Sequence, residues 1–322
     1  MSRRFPVIVA TLIALSQMGS TAVAQTASPV AAGCQVAPMG PEPEFPATTK
    51  PAIAASPAAS PGAAANAVPP DVASQVEQAA RALAACLADG NPAGVADNAT
   101  ADFLGDAFGG GERLSRNDYL SLAATAPIIP VRIVAIGQPV YTGMRTVAAE
   151  VELIAGNQLR LEQWTFVFRL STGDDPSTPA AATAVTQGRW RAHRAEPLTP
   201  QAPSGASRVE ATLNEYTITL ADNELSGPNI VLESRNAGAE AHELLVLRLA
   251  EDATTERLLR PSADSFPAGI EVVGQVTLLP GEQQDLVLVE MPAGEYSLVC
   301  LFPDSSGVPH LAFGQETTFT VQ

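Results

Sequence analysis

Two proline-rich breaks decide how this chain can fold. Residues 25–70 are dominated by Ala and Pro, with Ser, Thr and Gly (PATTKPAIAASPAASPGAAANAVPP at the end), and show no apolar periodicity. Such a stretch buries too little surface to offset the entropy of ordering it, so a disordered or polyproline-like linker is expected. A second break, Pro197 to Ser207 (PLTPQAPSGAS), separates two folded regions, 71–198 and 208–322, with 199–207 as the connector. Each is of ordinary domain size.

The first region opens with Asp71 as an expected helix cap. Val72, Val76, Ala79, Ala80, Leu83 and Leu87 then recur at helical spacing, and Asp89-Gly90 ends the run. Shorter helices are expected around 92–98, 100–108 and 115–124. After Pro130 the pattern turns to strands at 131–141, 144–155, 158–170 and 187–195, with Gly143 and Asn157 at turns. Helices followed by antiparallel strands describe an α+β fold with helices on one face of a curved sheet. The second region reads as seven short strands (208–220, 228–234, 242–249, 271–279, 284–290, 294–301 and 315–321) and hence as an all-β sandwich.

The opening helix, the run ATADFLGDAFGGGERLSRNDYLSL and the closing strand TQGRWRAHRAEPL resemble the NTF2-like (SnoaL-like) superfamily over about 71–198. The resemblance implies a cone with an apolar cavity that could serve dimerisation, catalysis or a small apolar ligand. No residue there stands out as a catalytic base. Asp102, Asp106 and Asp118 fit surface or capping roles, His193 fits a solvent-facing strand end, and Trp164 and Trp190 fit core and rim. Fold alone does not settle function.

Histidine is used three times in the chain, and two of the three, His242 and His310, fall in the last 81 residues beside Cys300. Gln315 follows five positions after His310. Two imidazoles, a thiolate and a weak fourth ligand form the donor set of a mononuclear copper site. Three segments carry a resemblance to the cupredoxins, the small blue-copper domains: NAGAEAHELLVLRL with His242, GEYSLVCLFPD with Cys300, and GVPHLAFGQETTFTV with His310 and Gln315. The resemblance spans about 206–322. It implies a Greek-key sandwich with one type 1-like copper, His242, Cys300 and His310 equatorial and Gln315 axial. The nine residues between Cys300 and His310 exceed the usual short loop, and Gln315 stands where methionine is commonest. Zinc suits the same donors, and a sandwich that has lost its metal is the competing reading. With only His193 left over, the histidine count argues against a self-contained multicopper oxidase or nitrite reductase.

Arg3 and Arg4, the apolar run Val7–Leu15 and the small-residue site Ala22-Val23-Ala24 read as a secretory signal over 1–24. No later stretch approaches the roughly 20 apolar residues of a membrane span. Export places the protein in the periplasm, the cell envelope or outside the cell. A lipid anchor on Cys34 is the weaker reading, because position 31 is Ala. With the leader removed, 16 basic residues face 34 acidic ones, and 206–322 alone carries a net of −13. That balance disfavours nucleic acid and anionic lipid and suits a basic redox partner, although solubility explains it equally. If Cys300 binds metal, Cys34 and Cys86 remain to pair. Cys86 serves equally as a buried apolar residue.

Three kinds of function follow: a copper protein that carries electrons or the metal itself, a metal-free binding protein, and an enzyme acting in the first region's cavity. The first is preferred, which makes the chain a carrier or binder rather than an enzyme.

Overall fold

The computed structural model describes residues 33–45, 67–170, 187–260 and 266–322. The expected leader (1–24) lies outside the described residues, as does most of the expected linker. The part of that linker at 33–45 is not free chain. Cys34 is disulfide-bonded to Cys86, Ala37 is buried and donates its N–H to Asn98 Oδ1 (2.8 Å), and a two-residue strand β1 (Gly40–Pro41) pairs with a later strand. Phe45 then packs among Tyr141, Phe168 and Trp190. Composition missed this because one covalent bond and one aromatic side chain hold the segment. The bond also leaves the Cys34 sulfur no valence for a lipid thioether.

Helix α1 (Pro70–Ala88) starts at a proline, whose missing N–H costs nothing in a first turn. The expected cap Asp71 is therefore inside the helix, and Pro69 precedes it without a side-chain cap. Val72, Val76, Ala79, Ala80 and Leu83 form the buried stripe. Asn91, Thr100 and Ser115 cap the short helices α2 (Pro92–Asn98), α3 (Ala101–Phe108) and α4 (Arg116–Ala123) by accepting backbone N–H groups.

These helices pack on antiparallel strands β2 (Val131–Ile136), β3 (Val140–Gly143), β4 (Thr146–Ala155), β5 (Gln158–Leu170) and β6 (Gln187–Leu198). The strand expected over 131–141 is split at Gly137-Gln138-Pro139, where the proline offers no N–H to a ladder. Trp164, Phe166, Phe168 and Trp190 line the inner face with the α1 stripe.

Nine strands follow: β7 (Ser207–Asn214), β8 (Thr217–Leu220), β9 (Glu224–Leu225), β10 (Ile230–Asn236), β11 (His242–Leu249), β12 (Ile270–Leu278), β13 (Gln283–Leu288), β14 (Gly294–Val299) and β15 (Glu316–Val321). One sheet runs β12-β11-β14-β15-β9 and faces β13-β10-β7-β8. Leu213, Leu232, Leu244, Leu286, Leu298 and Phe319 fill the space between them. At about 1.5–3 kcal/mol for each large apolar side chain, this layer drives the sandwich together.

The two regions are not merely tethered. Gln158 of β5 pairs with Leu288 of β13, which joins both into one ten-stranded sheet. The β4–β5 turn, Gly156-Asn157, enters the sandwich edge. Asn157 N–H donates to Val273 O and its carbonyl accepts from Val289 N–H, each at 2.8 Å. The Asn157 amide reaches the Val289 and Glu290 carbonyls at 3.0 Å. The turn that sequence reading placed at Asn157 is thus also the joint between the regions.

Candidate metal centre

Three strand ends place the donors. β11, β14 and β15 are neighbours in one sheet. His242 is the first residue of β11, Cys300 follows β14 and Gln315 precedes β15. His310 opens a short 3-10 turn (His310–Phe313), and Gly314 at φ 89° lets the chain reverse into β15. The long loop between Cys300 and His310 is folded on itself. Asp304 Oδ1 accepts from Ser306 N–H, the Ser306 hydroxyl and Val308 N–H. Those bonds hold the Asp304 carboxyl below its usual range, with the Ser306 bond contributing most. Leu311 N–H to Cys300 O (2.8 Å) and His310 N–H to Phe302 O (3.0 Å) close the loop under the site.

His242, Cys300, His310 and Gln315 are all fully buried. The two Nδ1 atoms lie 3.1 Å apart, and Cys300 Sγ is 3.5 Å from His310 Nδ1 and 3.9 Å from His242 Nδ1. Bond lengths of roughly 2.0–2.3 Å to a shared cation produce a triangle of about this size. The three residues form a group that could hold a metal ion.

The proton positions sharpen this. The Gln315 NH2 group donates to the Asn214 and Thr217 carbonyls, which only accept, so its orientation is fixed. The same NH2 lies 3.2 Å from His242 Nδ1. His310 Nε2 lies 3.0 Å from Glu240 Oε2, which leaves a lone pair on His310 Nδ1. Two imidazole nitrogens and a sulfur brought this close in a buried site repel unless a cation or proton lies among them. Gln315 Oε1 and His242 Nε2 are also buried without a hydrogen-bond partner, and each such atom costs about 1–3 kcal/mol. These residues fit a metal better than they fit a core.

Burial pushes the Cys300 thiol up to about 12, against the N–H of Glu243 and of Phe302. The Glu243 N–H donates to Sγ at 3.2 Å. Burial first, then the neighbouring His310 imidazole, holds His242 below the usual histidine value. The thiol therefore carries the proton a metal would displace.

The roof of the site was not legible in the sequence. Residues 208–220, expected as one strand, form the hairpin β7–β8 with Glu215-Tyr216 at its turn. Asn214 and Thr217 hold Gln315, and Glu215 Oε1 accepts from Ala239 and Glu240 N–H. Tyr216 sets its ring edge-on to His310 (5.6 Å, 89°) and against Phe313 (4.8 Å). Tyr216 and Phe313 are the exposed aromatics here, at 39% and 49%.

Elsewhere, His193 Nδ1 lies 3.1 Å from the Thr100 hydroxyl and 3.7 Å from Asp102, a half-buried cap contact far in sequence from the metal group. Asp106 pairs with Arg194. A cavity of about 300 Å³ lies between the regions, lined by Phe103, Phe108, Tyr119 and Trp164 of the first and Val276 and Thr277 of the second.

No protein-family model matches the chain, and no curated protein does. Among solved structures, it is similar to dithionite-reduced auracyanin of Roseiflexus castenholzii, at 20% identity over 37% of this chain and 99% of that one, TM-score 0.27. Auracyanin B is 18% identical over 39% and 94%, TM-score 0.27. Auracyanin A, a "blue" copper protein of Chloroflexus aurantiacus, is 19% identical over 37% and 100%, TM-score 0.26. At these scores the likeness is one of similarity only. No helix among the described residues is long and apolar enough to cross a membrane.

Proposed function

We propose that this chain is an exported copper protein with one type 1-like mononuclear site, passing single electrons or carrying the metal to a partner. The observation that carries this reading is the buried convergence of His242 Nδ1, His310 Nδ1 and Cys300 Sγ within 3.1–3.9 Å. Copper held there supplies one-electron chemistry. The chain's own residues do the rest. His242, Cys300 and His310 would hold the ion from strand ends that a packed sandwich keeps in place, and Gln315, whose amide oxygen has no hydrogen-bond partner, would be the weak fourth ligand. The Cys34–Cys86 disulfide suits the oxidising compartment that export implies.

The acidic balance of 206–322 fits a basic redox partner, an attraction that weakens as salt rises. The first region is read as an NTF2-like module, and the cavity beside it as a place for a small apolar ligand. The other use open to that module is dimerisation.

Copper(II) added to the metal-free mature protein is expected to give an intense blue absorption that Cys300→Ala abolishes. Protein that stays colourless and retains no copper after gel filtration sinks the proposal. Gln315→Met replaces a hard amide oxygen with a soft thioether and is expected to raise the reduction potential. A potential that does not rise on voltammetry removes Gln315 from the ligand set.

A further inference from the structure

An imidazole presents Nδ1 to a cation only when its proton sits on Nε2. For His310, Nδ1 faces His242 Nδ1 and Cys300 Sγ, and a carboxylate addresses Nε2. Glu240 Oε2 lies 3.0 Å from His310 Nε2, and a carboxylate accepts but cannot donate. The ring is fully buried, whereas the Glu240 side chain is 35% exposed, so the carboxylate stands between the imidazole and solvent. Glu240 is itself held on both sides. Its N–H donates to Glu215 Oε1 (3.1 Å), and its carbonyl accepts from the Asn236 amide (2.8 Å). Asn236 also accepts Gly238 N–H. A Cβ at Gly238 would meet Glu215 Oε1 at 2.5 Å and His242 Nε2 at 2.8 Å, so a larger residue here would press on both side chains.

We propose that Glu240 is a positioning residue of the metal centre. It fixes the His310 tautomer so that Nδ1 faces Cys300 and His242, and it places a negative charge one imidazole away from the metal, lowering the reduction potential. Carboxylates that orient ligating histidines typically account for 10–100-fold in metal affinity. The affinity and potential parts rest on the copper reading above, and the tautomer part does not.

The test uses the full mature chain with Glu240→Ala and Glu240→Gln, since the glutamine amide oxygen can still accept from Nε2–H but carries no charge. Long-range ¹⁵N–¹H NMR of the metal-free proteins reads which His310 nitrogen is protonated. Wild type and Glu240→Gln are expected to show the Nε2–H form alone, and Glu240→Ala both tautomers. With copper alone as the probe, Glu240→Ala is expected to bind about 10–100-fold more weakly and Glu240→Gln close to wild type, while the potential rises in both.

A single Nε2–H tautomer and unchanged affinity in Glu240→Ala overturn the positioning role, and unchanged potentials overturn the role of the charge. If wild type takes up no copper, the copper reading has failed on its own and the NMR arm still decides the tautomer. If Glu240→Ala does not fold, Glu240→Gln still decides: a raised potential with the tautomer retained supports the proposal, and an unraised one overturns it.

Discussion

Gly156→Val is expected to split the unfolding of this chain into two transitions and to cost on the order of 3 kcal/mol. Gly156 sits at φ 62° in the β4–β5 turn, a conformation that a β-branched residue adopts only under strain. A Cβ there would lie 2.8 Å from both the Val272 and Val273 carbonyl oxygens. Those are backbone atoms of a paired strand and cannot swing aside. The turn must withdraw, taking with it the Asn157 bonds to Val273, Val289 and Glu290 and the Gln158–Leu288 pairing. Gly205→Ala is the control, because φ is 79° there with nothing within 4 Å of the added carbon. Urea titrations followed by far-ultraviolet dichroism and by Trp164 and Trp190 fluorescence separate the two cases. Coincident transitions in Gly156→Val, with a midpoint no lower than in Gly205→Ala, would show that the joint contributes nothing.

Removing the charge of Glu243 should stabilise the metal-free protein above neutral pH. This side chain is 6% exposed, and burial pushes its carboxyl from 4.5 up to about 7, against one backbone hydrogen bond from Leu301. The folded chain therefore holds a proton between about pH 4.5 and 7 that the unfolded chain has released. Stability fully present below pH 4.5 is lost as pH rises through about 7, and above that the loss is constant. Glu243→Gln has no such dependence. Its stability relative to wild type should grow by roughly 2–3 kcal/mol between pH 5 and pH 8. Parallel urea midpoints for the two proteins across that range would show that Glu243 titrates normally.

What the sequence revealed, and what it hid, follows from how local each signal is. The α1 stripe from Val72 to Leu83 and strand β5 were readable because burial repeats along the segment itself, and β11 because its apolar residues run together. His242, Cys300 and His310 stood out because histidine and cysteine are scarce in this chain, and the structure brings all three together. The β7–β8 turn was invisible. Its central residues are Glu215 and Tyr216, the second at φ 63°, with none of the Gly or Asn chemistry that marks a two-residue hairpin. Glu240 and Glu243 carry no local signal that sets them apart from the other acids of this region. One faces an imidazole and the other is sealed beside the sulfur, and only tertiary contacts distinguish them. The joint at Gly156-Asn157 was hidden for a related reason: a turn motif states that the chain reverses, not what it reverses against.

The cysteines carry a final consequence in their order. Cys34 and Cys86 are 52 positions apart, and both precede Cys300. A chain delivered amino end first into an oxidising space can lock its first pair before the third sulfur arrives. Pairing in that order would leave no third thiol free to compete with the first two. Cys300, buried at the end of its strand, is the cysteine left as a free thiol.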